Sequence, residues 1–216
     1  MGIWIQEGLS ISFVDIMSTA DNSILGLKMP TDPRWADLAS MSLKEILTDH
    51  AFCEQKAATQ CISLIQLYPE EAGLVDALSP VVTEEWGHFR MVWWEMKKRG
   101  YELGPQRKDE YVNLLVGHLP KGGSREDRLL QRLMVCALIE ARSCERFRLL
   151  SEQLEDERLR KFYYKFMVSE AGHYRLFIDL AEQYFPQEQV RSAWQQWLDI
   201  EKQVLTQVNP RGDRMH

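Results

Sequence analysis

Glu85-Trp-Gly-His-Phe-Arg90 and Glu170-Ala-Gly-His-Tyr-Arg175 are two copies of one six-residue pattern, Glu-x-Gly-His-aromatic-Arg. On a helix, a Glu and a His three residues apart lie side by side, because three residues turn the chain by ~300° and advance it by only ~4.5 Å. Apolar residues at helical spacing extend both faces, so each pair is expected to point inward. A buried carboxylate beside an imidazole, presented twice, needs a neutralising partner.

Helical periodicity dominates the chain from Ser42 onward. It predicts five helices, at about 42–68, 73–98, 124–153, 156–184 and 187–208. No strand pattern is present except a possible short one in the first twenty residues. The connection from Arg99 to Gly123 is long, and the others are short. This order predicts an all-α fold, a ferritin-like four-helix bundle with one long crossover and an additional C-terminal helix.

These elements predict a single domain over residues 1–216. The bundle is expected to cover about 42–184 and the additional helix about 187–208, whereas residues 1–40 form an N-terminal extension whose role the sequence leaves open.

The spacing along the chain indicates two further carboxylates beside the two Glu-x-x-His pairs. Glu54 lies 31 residues before Glu85, and Glu140 lies 30 residues before Glu170, so the chain resembles two helical hairpins. Ferritin-like di-metal proteins combine a Glu-x-x-His from two helices with one Glu from each of the other two. The pattern therefore predicts a site for two Fe or Mn ions, with these ligands: Glu54, Glu85, His88, Glu140, Glu170 and His173.

Other polar residues have simpler interpretations. His50 lies one turn before Glu54 and is expected to contact a ligand or the core, with a more direct role left open. Glu145 is the main alternative to Glu140 as the fourth carboxylate ligand, but it faces ~140° away from Glu140 on the helix. Solvated or ion-paired positions are expected for Glu84, Glu145 and Glu182, and surface positions for His118 and the pair Asp213-x-x-His216. Paired glycines, Gly87 and Gly172, suggest close helix approach or space beside the metals.

The composition excludes several classes of protein. With 216 residues, 45% hydrophobic and 27% charged, the chain is globular rather than disordered. It has no apolar run of membrane-spanning length and no secretory signal pattern. Its four cysteines show no CxxC spacing and are expected to be reduced thiols of a cytoplasmic protein.

Longer strings on all four bundle helices, within about residues 35–205, resemble the MiaE family of tRNA hydroxylases. They are Leu47-Thr-Asp-His-Ala-Phe-Cys-Glu-Gln-Lys-Ala-Ala58, Glu84-Glu-Trp-Gly-His-Phe89, Ala137-Leu-Ile-Glu-Ala-Arg-Ser-Cys-Glu-Arg-Phe147 and Ser169-Glu-Ala-Gly-His-Tyr174. The resemblance implies that the six ligands hold a catalytic di-iron centre. It also implies hydroxylation of the isopentenyl group of a hypermodified adenosine in tRNA, with O2 and two electrons from an external donor, an unidentified redox partner.

The alternative is a ferritin-like ferroxidase or iron-handling protein, which needs the same ligands but no substrate channel. A hydroxylase is expected to be a monomer or small oligomer without a membrane contact. Its tRNA surface is predicted in the segment 97–128, which has eight basic and five acidic residues in a chain of net charge −6, and the alternative is that these are only solvated loop charges. The basic residues are Lys97, Lys98, Arg99, Arg107, Lys108, Lys121, Arg125 and Arg128.

Overall fold

The structure, a computed structural model, describes residues 25–106, 108–209 and 211–216. Seven helices follow one another in this part of the chain. They are α1 (Arg34–Met41), α2 (Leu43–Leu67), α3 (Ala72–Lys98), α4 (Glu110–Gly117), α5 (Arg125–Gln153), α6 (Glu157–Tyr184) and α7 (Gln187–Leu205). None of them is both long enough and apolar enough to cross a membrane.

The four long helices form two hairpins, α2 with α3 and α5 with α6. Local sequence explains where the second hairpin begins. Ser124 and Asp127 form a reciprocal capping box at the start of α5, and the Asp156 carboxylate accepts backbone N–H bonds at the start of α6. Contacts such as Ser169 Oγ donating to Glu84 Oε1 (2.7 Å) join α3 to α6. The predicted all-α, ferritin-like class is confirmed.

Three elements differ from the sequence prediction. Helix α1 was not predicted, although its buried Trp35 packs it on the bundle. The crossover contains the eight-residue helix α4, whose first turn is capped by the Asp109 carboxylate. The last helix ends at Leu205, about a turn before the predicted boundary. The possible strand in the first twenty residues lies outside the described residues.

Apolar residues form two core clusters along the bundle, and the predicted ligands lie between them. Leu64 and Cys61 of α2 belong to one cluster, whereas Leu47 and Ala51 belong to the other. Glu54 lies between these two sets on the same helix. The tryptophans are not all core residues, since the side chains of Trp86 and Trp94 are 50% and 57% exposed.

A buried charge network attaches the outer segments to the bundle. Arg142 of α5 is completely buried and pairs with Glu145 and with Glu201 of α7, the latter at 2.8 Å. Glu145 also accepts hydrogen bonds from the backbone and hydroxyl of Thr31, and Glu201 accepts one from the Tyr111 hydroxyl at 2.9 Å. The network therefore fixes residues before α1, the crossover helix and α7 to one guanidinium.

Candidate metal centre

All six predicted ligands lie in the bundle interior, on four different helices. Each is at most 8% exposed, which is uncommon for carboxylates. Helix α2 supplies Glu54, α3 supplies Glu85 and His88, α5 supplies Glu140, and α6 supplies Glu170 and His173. The structure thus brings together the residues that the repeated pattern selects.

The donor atoms of the six candidate ligands form two overlapping groups. Glu54, Glu85, His88 and Glu170 make the first, and the second contains Glu85, Glu140, Glu170 and His173. Within each group the atoms lie within 4.8 Å of one another. Glu85 and Glu170 belong to both groups, so either carboxylate would be within reach of two ions if both groups held one.

The electrostatics of the cluster reflect carboxylates crowded in a low-dielectric interior. Burial and the neighbouring carboxylates raise the pKa of Glu54 and of Glu140 well above the usual carboxyl value. Burial would lower the pKa of His88, but Glu54 and Glu85 outweigh it and raise the pKa to about 10. Without a cation, the cluster therefore keeps its charge low by holding protons.

The donor atoms fit a pair of first-row metal ions. Several are buried without a hydrogen-bond partner, among them Glu54 Oε2, Glu85 Oε1 and Glu170 Oε1. The same holds for His88 Nδ1 and both ring nitrogens of His173, although His173 Nδ1 lies only 2.7 Å from a Glu85 oxygen. Orphaned buried polar atoms call for a partner, and carboxylate with imidazole donors suit iron or manganese.

The competing residues have other positions. Glu145 is buried in the Arg142 network, so it is ion-paired as expected and lies outside both ligand groups. His50 is fully buried, and its Nε2 lies 2.8 Å from Glu54 Oε1. Burial and the nearby His88 lower its pKa well below the usual imidazole value, so His50 is a neutral neighbour of a ligand. His118 is exposed.

Glu84 and the paired glycines lie near the histidines. The half-exposed Glu84 carboxylate approaches His173 Nε2 (3.4 Å) and His88 Nε2 (3.8 Å), so it faces the outer edge of both rings. A Cβ built on Gly87 or Gly172 meets nothing within 4 Å. The glycines therefore leave open space and do not mark a close approach of two helices.

An apolar pocket of about 140 Å³ reaches the cluster from the side of α2, α4 and α5. Its walls include all four carboxylates but neither His88 nor His173. Most of the apolar lining comes from the crossover and from α5, with Ala57 and Cys61 of α2 and Phe177 of α6 completing it; the residues of the crossover and α5 are Val112, Val116, Leu119, Val135, Cys136 and Ile139. The pocket gives an apolar group direct access to the carboxylate side of the centre.

Three further polar residues of the pocket wall, Lys56, Asp109 and His216, were not found from the sequence. His216 was expected at the surface, but it is buried against Asp109 and lines the pocket with Lys56. The returning C-terminal tail places it, since Met215 N donates to Asp49 Oδ2 at 2.8 Å. Only the tertiary fold brings the last residue of the chain beside α2, so no local pattern could have revealed it.

The predicted basic segment does not form one surface. Arg99 pairs with Asp156 (2.6 Å) just beyond the end of α5, whereas Arg125 is the first residue of that helix and pairs with Glu70 (2.6 Å). A 29-residue helix is ~43 Å long, so Lys97, Lys98 and Arg99 lie at the opposite end of the bundle from Arg125 and Arg128. Lys108 and Lys121 are exposed in the crossover. Arg107 lies outside the described residues.

Comparison with known proteins places this centre in a family. A family model described as tRNA-(MS[2]IO[6]A)-hydroxylase (MiaE) matches residues 18–216. Two similar proteins, from Pseudomonas putida and Salmonella typhimurium, are both named tRNA 2-(methylsulfanyl)-N(6)-isopentenyladenosine(37) hydroxylase. The first is 38% identical over 73% of this chain and 76% of its own length, and the second is 29% identical over 81% of each.

A solved structure from Synechococcus is also similar, with a TM-score of 0.83 and 37% identity. It covers 89% of this chain and 96% of its own, and it is described as Protein 43 with aldehyde deformylating oxygenase activity. The family model spans nearly the whole chain, including all six residues of the carboxylate and histidine cluster. The chain therefore belongs to the MiaE family of tRNA hydroxylases.

Proposed function

We propose that this protein is a non-haem di-iron monooxygenase that hydroxylates the isopentenyl group of a modified adenosine in tRNA. One observation carries the proposal: an apolar pocket leads to all four buried carboxylates of a two-metal cluster. A prenyl side chain is apolar and narrow, and it suits such a pocket. The names of the relatives from Pseudomonas putida and Salmonella typhimurium support the same substrate class.

The six side chains would coordinate two metal ions. Glu54 and His88 would hold one iron, Glu140 and His173 the other, with Glu85 and Glu170 shared between them. When bound, the pair of ferrous ions supplies the activation of O2 for attack on an unactivated C–H bond. Both histidines lie outside the pocket wall, so substrate approaches from the carboxylate side.

The chain's own contribution is to orient the substrate and exclude water. Val135 and Ile139 line the pocket beside Glu140, where the prenyl group would be held in a dry environment. Arg132 also lines the pocket. It lies on the same face of α5 as Arg125 and Arg128, because residues three or four apart are neighbours on a helix. This row of guanidinium groups on α5 would bind the tRNA backbone near the pocket, and the target base would leave the anticodon stack to enter it.

A ferritin-like ferroxidase remains the first alternative, because it would use the same ligands. It has no need for an apolar pocket lined by Val112, Val135 and Ile139. Size-exclusion chromatography separates the two functions, since an iron store forms a large cage whereas the hydroxylase is expected to be a monomer or small oligomer.

Aldehyde deformylation is a second candidate, favoured by the apolar pocket and by the description of the Synechococcus structure. A long alkyl aldehyde would use the pocket but not the arginine row of α5. Incubation of the iron-loaded protein with a long-chain aldehyde, O2 and a reductant would release formate if this activity were present.

The direct test is mass analysis of tRNA nucleosides from cells with and without the protein. We expect the hydroxylated prenyl adenosine only when the protein is present, and expression of the Glu170→Ala variant should not restore it. An unchanged nucleoside profile in the absence of the protein would remove the proposal.

A further inference from the structure

The Lys56 ammonium group lacks a hydrogen-bond partner in the wall of the pocket. Its Nζ atom is buried, and no described residue accepts a hydrogen bond from it. The nearest anion is Asp109 Oδ2 at 3.5 Å, which is an ion-pair distance. A buried donor without an acceptor is costly, so its persistence beside a pocket points to a missing ligand atom.

Asp109 presents an acceptor next to this donor. Asp109 lines the pocket; its Oδ1 atom accepts from the Val112 backbone N–H at 3.0 Å, and Oδ2 is the oxygen that lies beside Lys56. His216 also contacts this carboxylate, with Nδ1 3.5 Å from Oδ2. The His216 ring is itself fixed by Ser143 Oγ, 2.9 Å from Nε2, and by stacking on Tyr111.

We propose that Lys56 and Asp109 form a subsite for the edge of a purine base, in which Lys56 Nζ donates to N7 and Asp109 Oδ2 accepts from the N6–H. His216 is a positioning residue for Asp109. The inference rests on the proposed function and adds to it how the base is recognised. Adenine presents an acceptor at N7 beside a donor at N6, and an N6-alkylated adenine keeps one N6–H.

The arrangement also orients the substrate. Lys56 is two residues from Glu54, and both line the pocket that contacts the four carboxylates. A base held at Lys56 and Asp109 would direct its N6 substituent along the apolar wall of Val135 and Ile139. The subsite would therefore select an adenine and aim its prenyl group at the metals.

A third metal ion is a poorer occupant of the same place. Cys53, Asp109 and His216 do place three donor atoms within 4.8 Å of one another. The Lys56 ammonium, 3.5 Å from the Asp109 oxygen, would oppose a divalent cation there. Burial also raises the pKa of the Cys53 thiol well above its usual value, which disfavours the thiolate that a metal needs.

The test uses two anticodon stem-loop RNAs, one with N6-isopentenyladenosine and one with its 7-deaza analogue, which lacks N7. Binding to the iron-loaded protein is measured under argon by fluorescence anisotropy. We expect wild-type protein to bind the 7-deaza RNA ~10- to 100-fold more weakly, the loss typical of a hydrogen bond from a charged donor. The Lys56→Met variant should bind both RNAs equally, at the weaker affinity.

The matched control is Lys44→Met, which removes an exposed lysine from the same helix and should keep the preference for N7. Equal binding of the two RNAs by wild-type protein would overturn the subsite without any variant, as would a Lys56→Met protein that still prefers N7. Turnover distinguishes the two proposals. If oxygen and reductant hydroxylate both RNAs without discrimination, only the subsite fails, and if neither RNA is hydroxylated, the proposed function fails.

Discussion

Replacement of Arg142 by Met tests whether the buried charge network holds the outer segments on the bundle. Arg142 is completely buried, and its two carboxylate partners, Glu145 and Glu201, are at most 1% exposed. Met fills much of the same volume but leaves two carboxylates in a low-dielectric interior without their cation. Removing one member of a buried ion pair costs about 3–5 kcal/mol, because the remaining charge is uncompensated.

The lower end of that range applies to Arg142→Met. Glu145 keeps its hydrogen bonds from Thr31, and Glu201 keeps the one from Tyr111, so each carboxylate retains part of its stabilisation. We therefore expect a loss of about 3 kcal/mol in the free energy of unfolding. For a domain of this size, 1 kcal/mol corresponds to about 2–4 °C, so Tm should fall by roughly 6–12 °C.

Thermal unfolding of the iron-loaded protein, followed by circular dichroism, measures the effect. Arg175→Met is the matched control, since it removes an arginine from an exposed pair with Asp179 and should change stability by less than about 1 kcal/mol. Combining Arg142→Met with Glu145→Gln and Glu201→Gln should restore at least half of the loss. An Arg142→Met protein as stable as wild type would show that the buried network does not hold the outer segments on the bundle.

Metal analysis should show that Glu140→Ala loses iron whereas Glu145→Ala keeps two ions per chain, and the reverse would exchange their roles. Burial and Glu170 raise the pKa of Glu140, and nearby carboxylates raise that of His88 to about 10. These raised pKa values mean that the folded metal-free protein holds protons more tightly than the unfolded chain does. Its Tm should therefore fall as the pH rises from about 7 towards 10, and a Tm that does not change with pH would contradict this. Calorimetry should find the Gly172→Ala protein more stable than wild type by up to ~1 kcal/mol, because nothing obstructs the new methyl group. Gly212→Ala should not gain stability, because its new methyl carbon would lie 2.3 Å from the Leu38 carbonyl oxygen.

The fold and the clustering of the six candidate ligands were predictable because the sequence repeats the pattern that carries them. Each Glu-x-x-His pair is local to one helix turn, and the nearly equal spacings from Glu54 to Glu85 (31 residues) and from Glu140 to Glu170 (30 residues) carry the hairpin symmetry. Helix periodicity placed the four long helices for the same reason, since every turn repeats the apolar face.

Features that depend on distant parts of the chain were not predictable. His216 lines the pocket only because the tail folds back onto α2 and α5. Helix α1 has eight residues and no side-chain cap, so its sequence carries little helical signal and its stability comes from burying Trp35. The basic segment was continuous in sequence, but the crossover runs the length of the bundle and separates its charges.

A single-turnover reaction under oxygen-18 gas shows whether this protein transfers an oxygen atom from O2 to the isopentenyl group. The protein is loaded with two ferrous ions, mixed with an anticodon stem-loop RNA that carries the isopentenyl adenosine, and supplied with a chemical reductant. We expect the target nucleoside to gain one oxygen-18 atom on its isopentenyl group, and Glu85→Ala protein to give no product. An intact, unmodified nucleoside, or a product whose new oxygen comes from water, would contradict a monooxygenase function.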